Sequence, residues 1–183
     1  HRFRRNSLAF GSFLNRLRAV GVPHACLWSS QVLPKSTEWN ELVEVVGYTF
    51  PEDDVDYVPP RSLESFLDTD QPVLAIGFGS MVVPHPNKTI SIITEAVGRL
   101  GAKAVICGVW PKAATEMLST SDDVYFIQDV PHAWLLRHVQ GFVHHGGAGH
   151  TAAGIKAGVP MLVLPFFLDQ NFWAAKVCQM KLG

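Results

Sequence analysis

Cysteine is scarce in this chain, and so is charge. Cys26, Cys107 and Cys178 are far apart and odd in number among 183 residues. They form no Cys-x-x-Cys pair and no Cys/His zinc spacing, which argues against a disulfide framework and for reduced thiols in a cytoplasmic setting. Charged residues make up 17%, and 15 basic against 16 acidic groups leave a net charge of −1. That balance argues against a nucleic-acid partner held by charge. The basic cluster His1-Arg2-Phe3-Arg4-Arg5 is local and terminal, and reads as a solvated helix start or a cut interdomain segment. No apolar run reaches the roughly 18 residues that span a bilayer. The longest, Val159 to Leu168, is interrupted by Pro160 and Pro165. Neither a signal peptide nor an internal repeat is visible.

What the chain does have is apolar substance. Hydrophobic residues make up 48%, enough for one domain with a sizeable core. Residues 7 to 20 carry Leu8, Phe10, Phe13, Leu14, Leu17 and Val20 at helical spacing, ended by Gly21 and Pro23. Ala25 to Trp28 and Val43 to Tyr48 read as short strands. Pro51 to Asp70 is rich in proline and acid and reads as a linker followed by a short helix. From there strands and helices alternate. Strands are expected over Val73 to Phe78, Ala104 to Cys107 and Val124 to Ile127. Helices are expected over Asn87 to Leu100, capped by Asn87, and over Pro111 to Leu118, with a helical turn over Ala133 to Arg137. Continuously apolar strands alternating with helices predict an α/β fold, a parallel sheet covered on both faces. Ligands of such sheets bind at the carboxyl ends of the strands.

The stretch from Gly141 to Gln170 concentrates the chemistry. A short strand, Gly141 to Val143, runs into the turn His144-His145-Gly146-Gly147-Ala148-Gly149-His150-Thr151. A small-residue helix follows, expected from about Thr151 to Ala157, then a second buried strand ending near Pro165. Glycines let a backbone approach a ligand closely, and a helix start favours an anion, typically a phosphate. Asp169 and Gln170 then offer carboxylate oxygens and an amide, which suits a polyhydroxylated group; Asp169 also reads as a helix N-cap. Phosphate at one end and sugar at the other point to a nucleotide sugar. His144 and His145 are adjacent, so their side chains are expected on opposite faces, unable to chelate one metal. Gly77-Phe78-Gly79-Ser80 lacks the third glycine of a dinucleotide fingerprint, and its serine is misplaced for a nucleophile elbow.

These residues carry a resemblance. The turn, the apolar strand and the Asp-Gln pair are similar to the donor-binding signature of family 1 glycosyltransferases, most closely the fungal UDP-glucose:sterol glucosyltransferases. Asp169 follows His150 by 19 positions, as in plant and fungal members. The departure is His150, where the family has Thr. The resemblance runs from about Ala25 to Lys176. It implies a Rossmann-like domain, the C-terminal, donor-binding half of a GT-B type enzyme. It places the end of an N-terminal acceptor domain in residues 1–50, the linker in 51–70 and the donor domain in 71–183. It implies inverting transfer of glucose from UDP-glucose to a sterol 3-hydroxyl by direct displacement, without a metal or other cofactor.

By the same resemblance Ser80 lies near the diphosphate, Val130 and His132 border the uracil and ribose, and His145 contacts the diphosphate. Gly147, Ala148, Gly149 and His150 offer amides to the departing UDP, and Asp169 and Gln170 bind the hexose. His144 points into the protein and the catalytic base lies in the acceptor domain, so no catalytic residue is assigned here. Trp134 and Trp173 themselves read as core packing, with a border of the sugar as the other reading of Trp173, just after Asp169-Gln170. A chain opening on His1 and stopping at Gly183 inside an apparent helix is expected to be a piece of a longer protein, truncated at its C-terminus. A sterol or other lipophilic acceptor, the missing acceptor domain and a peripheral membrane contact are the partners implied. Two other readings stand beside this one: a non-catalytic nucleotide-sugar binding module or remnant, and a Rossmann oxidoreductase.

Overall fold

The computed structural model describes residues 19–50, 56–112, 114–115 and 121–183. The basic cluster, most of the helix expected over 7 to 20 and the end of the one expected over 111 to 118 lie outside these residues. The chain divides into two compact units, residues 1–50 and 51–183. In the first, β1 (His24–Cys26) pairs in parallel with β2 (Val43–Val45). Both strands are shorter than their apolar runs. The Trp28 indole donates to the Leu33 carbonyl at 3.0 Å, folding the intervening loop onto the strand end.

The second unit holds α1 (Arg61–Leu67), β3 (Val73–Gly77), α2 (Pro86–Leu100), β4 (Lys103–Cys107) and β5 (Val124–Ile127), then α3 (His132–Leu135), β6 (Gly141–His144), α4 (Ala148–Ala157), β7 (Met161–Val163) and α5 (Gln170–Gln179). Its five strands are all parallel, in the order β5-β4-β3-β6-β7. Successive side chains of a strand face opposite ways, so an apolar strand feeds two cores. Val73, Ala75, Val105, Phe142 and Met161 face one, joined by Leu63 of α1, Leu135 of α3 and Val177 of α5. Ile76, Ala104, Ile106 and Val124 face the other, joined by Ile90 and Val97 of α2. Burying each such Val, Ile or Leu contributes on the order of 1.5–3 kcal/mol. The fold is Rossmann-like α/β, as the apolar strands predict.

Three local expectations are corrected. Helix α2 starts at Pro86, not Asn87, and no side chain caps it; His85 turns the chain at φ 51° and Pro86 takes the first helical position. Proline suits that position because its missing N–H would be unpaired there anyway. Helix α4 starts at Ala148, three residues earlier than expected. The strand before Pro165 is only half buried: β7 is the sheet edge, and Leu162 is 58% exposed.

Candidate functional site

The strand order reverses at β3. From it the chain steps outward through β4 and β5, then returns to place β6 on its other flank. Crevices form at the carboxyl ends of strands at such a reversal, because the two connections leave in opposite directions. Gly77 of β3 pairs there with His144 of β6. The turns after β3, β6 and β7 and the segment entering α3 all open on this edge.

Helix α4 begins in the crevice. Its N-cap, Gly147, is extended and offers no side-chain acceptor. The N–H groups of the first turn, from Ala148, Gly149 and His150, therefore have no acceptor within the helix. Gly146, at φ 85°, curls the chain back between strand and helix. His144 is the last strand residue and stacks on Phe142, centroids 4.7 Å apart. His145 lies past the strand end, where alternation no longer holds. Both rings flank His150, at 6.1 Å and 4.8 Å, and His132 reaches it from α3 at 4.6 Å.

Four imidazoles thus share one pocket. His144 is fully buried and its Nδ1 accepts from the Gly146 N–H at 3.1 Å. The ring proton then sits on Nε2, which has no hydrogen-bond partner among the described residues. His145 is 7% exposed, and its Nδ1 makes no hydrogen bond among the described residues. A methyl group on Gly147 would run into its Nε2, and one on Gly79 would lie 3.0 Å from its Cε1. Burial pushes His150 down to about 3, and the rings of His132, His145 and His144 push the same way. Burial and then His145 and His132 push His144 down to about 4. Burial also lowers His132, with Asp129 opposing, and His145, with the Gly77 backbone and Asp169 opposing. At neutral pH the cluster is uncharged. Among the described residues no group of three or more His, Cys, Asp or Glu is arranged to hold a metal ion.

The remaining residues singled out from the sequence gather round the same edge. Ser80 is exposed in the turn after β3. Val130 is 4% exposed and belongs to the core, setting the direction of the segment that carries His132. Asp169 occupies the N-cap position of α5 but makes no capping bond; its Oδ2 accepts from the Trp173 indole at 2.9 Å. Gln170 is buried, and its Oε1 accepts from the N–H groups of Phe166 (2.7 Å) and Phe167 (3.1 Å). Its oxygen is committed to that turn. Its Nε2 donates only to the Met81 sulfur, 3.3 Å away, which leaves the amide a weak partner to exchange. Trp134 packs edge-on against Tyr57 and is part-buried, and Trp173 is buried.

Sequence reasoning missed Met81 and Asp129. Met81 is held under Gln170 by a contact 89 residues apart in sequence, which no local signal announces. Asp129 stands beside Val130-Pro131-His132, so its proximity to His132 was readable there.

A family model described as UDP-glucoronosyl and UDP-glucosyl transferase matches residues 53–181. Enfumafungin synthase efuA of Hormonema carpetanum is 45% identical over 195 residues, covering 96% of this chain and 15% of that protein. Sterol 3-beta-glucosyltransferase UGT80A2 of Arabidopsis thaliana is 38% identical over 162 residues, covering 88% of this chain and 25% of that protein. The chain therefore spans a quarter or less of the length of these relatives. Among solved structures, Arabidopsis thaliana UGT89C1 complexed with UDP matches with a TM-score of 0.66 at 21% identity, over 84% of this chain and 41% of that one. At that identity the match establishes the fold, which is that of GT-B glycosyltransferases. No helix among the described residues is long and apolar enough to cross a membrane. With the family model running through all five strands of the large sheet and all four histidines of the crevice, the chain belongs to the UDP-glucoronosyl and UDP-glucosyl transferase family.

Proposed function

We propose that this chain is the donor-binding part of a glucosyltransferase that moves glucose from UDP-glucose to a sterol 3-hydroxyl. The observation that carries it is the His145 ring, whose Nδ1 is buried without a hydrogen-bond partner among the described residues and whose Nε2 stands beside Gly147, at a helix start that no side chain caps. Buried polar atoms are nearly always hydrogen-bonded, so this pairing marks a place for an external acceptor. A diphosphate supplies such oxygens, and helix N-termini favour them. UGT89C1 in complex with UDP and the sterol 3-beta-glucosyltransferases support the choice of nucleotide and acceptor.

In this reading the acceptor oxygen attacks the anomeric carbon from the face opposite UDP. The bond from that carbon to the phosphate oxygen breaks with its electron pair, and configuration inverts. His145 and the first-turn amides of α4 take up the charge on departing UDP, in place of a metal. The four histidines here are poor bases, since burial disfavours their protonated forms. The proton of the acceptor hydroxyl goes to a base on the acceptor-binding half. Calorimetry tests the donor reading: UDP is expected to bind more tightly than UMP, and equal affinities would reject it. A binding module without turnover is the second reading, favoured by the His150 ring standing at the phosphate end of the crevice. The family match favours sugar transfer over an oxidoreductase. Steryl glucoside formed from UDP-glucose and ergosterol, once the acceptor-binding half is supplied, separates the transferase from the module.

Asp169 is proposed to read the sugar. Truncation to Ala would also orphan the buried Trp173 indole, so Asp169→Asn is the cleaner variant; its amide oxygen still accepts from Trp173. UDP-glucose affinity is expected to fall by about 1.5–3 kcal/mol, the range for a hydrogen bond to a charged group. UDP affinity is expected to stay level. Equal weakening of both ligands would make Asp169 a purely structural residue.

A further inference from the structure

We propose that the histidine cluster couples donor binding to proton uptake, with His150 the ring that takes the proton. The inference rests on the donor reading above and adds a regulation to it. Among the described residues, the groups facing His150 are few. From α3 comes His132, backed by Asp129; from β6 and its turn come His144 and His145; Asp169 acts on His145 from the start of α5. Cys107, at the end of β4, is driven up to about 12 by burial and then Asp129, so it remains a neutral thiol. The charges acting on the four rings are thus each other's and those of two carboxylates. A diphosphate brought into this crevice meets neutral imidazoles. The charge that would balance it can come from a proton.

His150 is the ring placed to receive it. It is the only one of the four on the first turn of α4, where the unpaired N–H groups point. The other three surround it. Its Nε2 lies 3.9 Å from where a methyl group on Gly77 would stand, and its Cε1 3.1 Å from the same point on Gly79. The ring therefore lies over the end of β3, in the crevice itself. His144 has its Nδ1 committed to Gly146.

The sign follows from linkage. In the free protein, burial and the neighbouring rings hold His150 at about 3. An anion alongside favours the imidazolium and raises that value. Between the free and the raised value the complex holds a proton the free protein lacks. Affinity therefore rises as pH falls through that window, and is flat above it.

The test is calorimetry of UDP-glucose in two buffers of different ionisation enthalpy, from about pH 8 down to about pH 5.5, across the imidazole range. UDP-glucose is the right probe because each of its phosphates is doubly substituted, by one ester and by the anhydride they share. They lack the second ionisation, near about pH 6, of a terminal phosphate. The wild type is expected to take up a proton, its Kd falling by up to about tenfold per pH unit in the window. His150→Gln keeps an amide donor without a titrating group, and is expected to bind with no uptake and a pH-flat Kd. His150→Thr, the residue of resembling members, is expected to behave likewise. Wild-type binding without uptake would overturn the inference. So would uptake that persists in both variants, since the proton would then reside on another ring. No UDP-glucose binding at any pH would overturn the donor reading, and this inference with it.

Discussion

Gly146→Ala is expected to lower the stability of the larger unit by about 2–5 kcal/mol, combining left-handed strain with overpacking. Gly146 sits at φ 85°, where an L side chain is strained whatever the space around it. The space is also occupied. A methyl group there would stand 2.7 Å from Val163 Cγ1 on β7 and 3.0 Å from the Gln170 carbonyl oxygen. Val163 is β-branched and cannot swing aside freely, and Gln170 is backbone at the head of α5. The turn would have to open. That would pull the Gly146 N–H from His144 Nδ1 and disturb the crevice from below. A urea titration reads the effect as a lower midpoint at unchanged slope. A loss under about 1 kcal/mol would show that the turn relaxes at little cost. Gly149→Ala is the control from the same motif. A methyl group there meets nothing within 4 Å, and alanine is the better helix former by about 1 kcal/mol. Its folding stability is expected to hold or rise.

Those two glycines show what the sequence could and could not disclose. Strand and helix alternation was legible because the inner strands β3 and β4 are runs of Val, Ile, Ala and Leu, largely buried on both faces. The turn after β6 was legible because glycines, small residues and histidines concentrate there. The convergence of the four rings was not. His132 follows β5, the far edge of the sheet, yet it lies 4.6 Å from His150. The short helix α3 and the return crossover carry it back over the strand ends, a consequence of strand order that no local pattern holds. The early start of α4 was masked by Gly147 and Gly149, which lower helix propensity. Gln170 was legible as a polar residue beside Asp169. That its oxygen would bind the turn from Phe166 to Phe167 depends on how β7 leaves the sheet, a matter of tertiary geometry.

His145→Phe is expected to weaken UDP binding by about 1.5–3 kcal/mol, the range for a hydrogen bond to a charged group, or at least about tenfold in Kd. The protein itself is expected to be unchanged or more stable. The two halves of that expectation share one cause. The His145 ring is 7% exposed, and its Nδ1 has no hydrogen-bond partner among the described residues. A buried polar atom left unpaired costs folding free energy, and an apolar ring of similar shape removes that cost. Burial also lowers the ring's basicity, so the protein holds it neutral and ready to donate or accept. A residue kept for packing alone would show the reverse. Phenylalanine would then be neutral for UDP, and any change would appear in the thermal midpoint. UMP gives the internal comparison. It lacks the distal phosphate, so its affinity is expected to fall less than that of UDP. His145→Ala removes the same nitrogen and is expected to lose UDP affinity similarly, but it opens space beside Gly79 and His150 and can lower stability too. The phenylalanine variant therefore separates binding from folding. UDP affinity within about twofold of wild type in His145→Phe, a difference well under 1.4 kcal/mol, would remove His145 from the diphosphate site and leave its orphaned nitrogen without a functional reason.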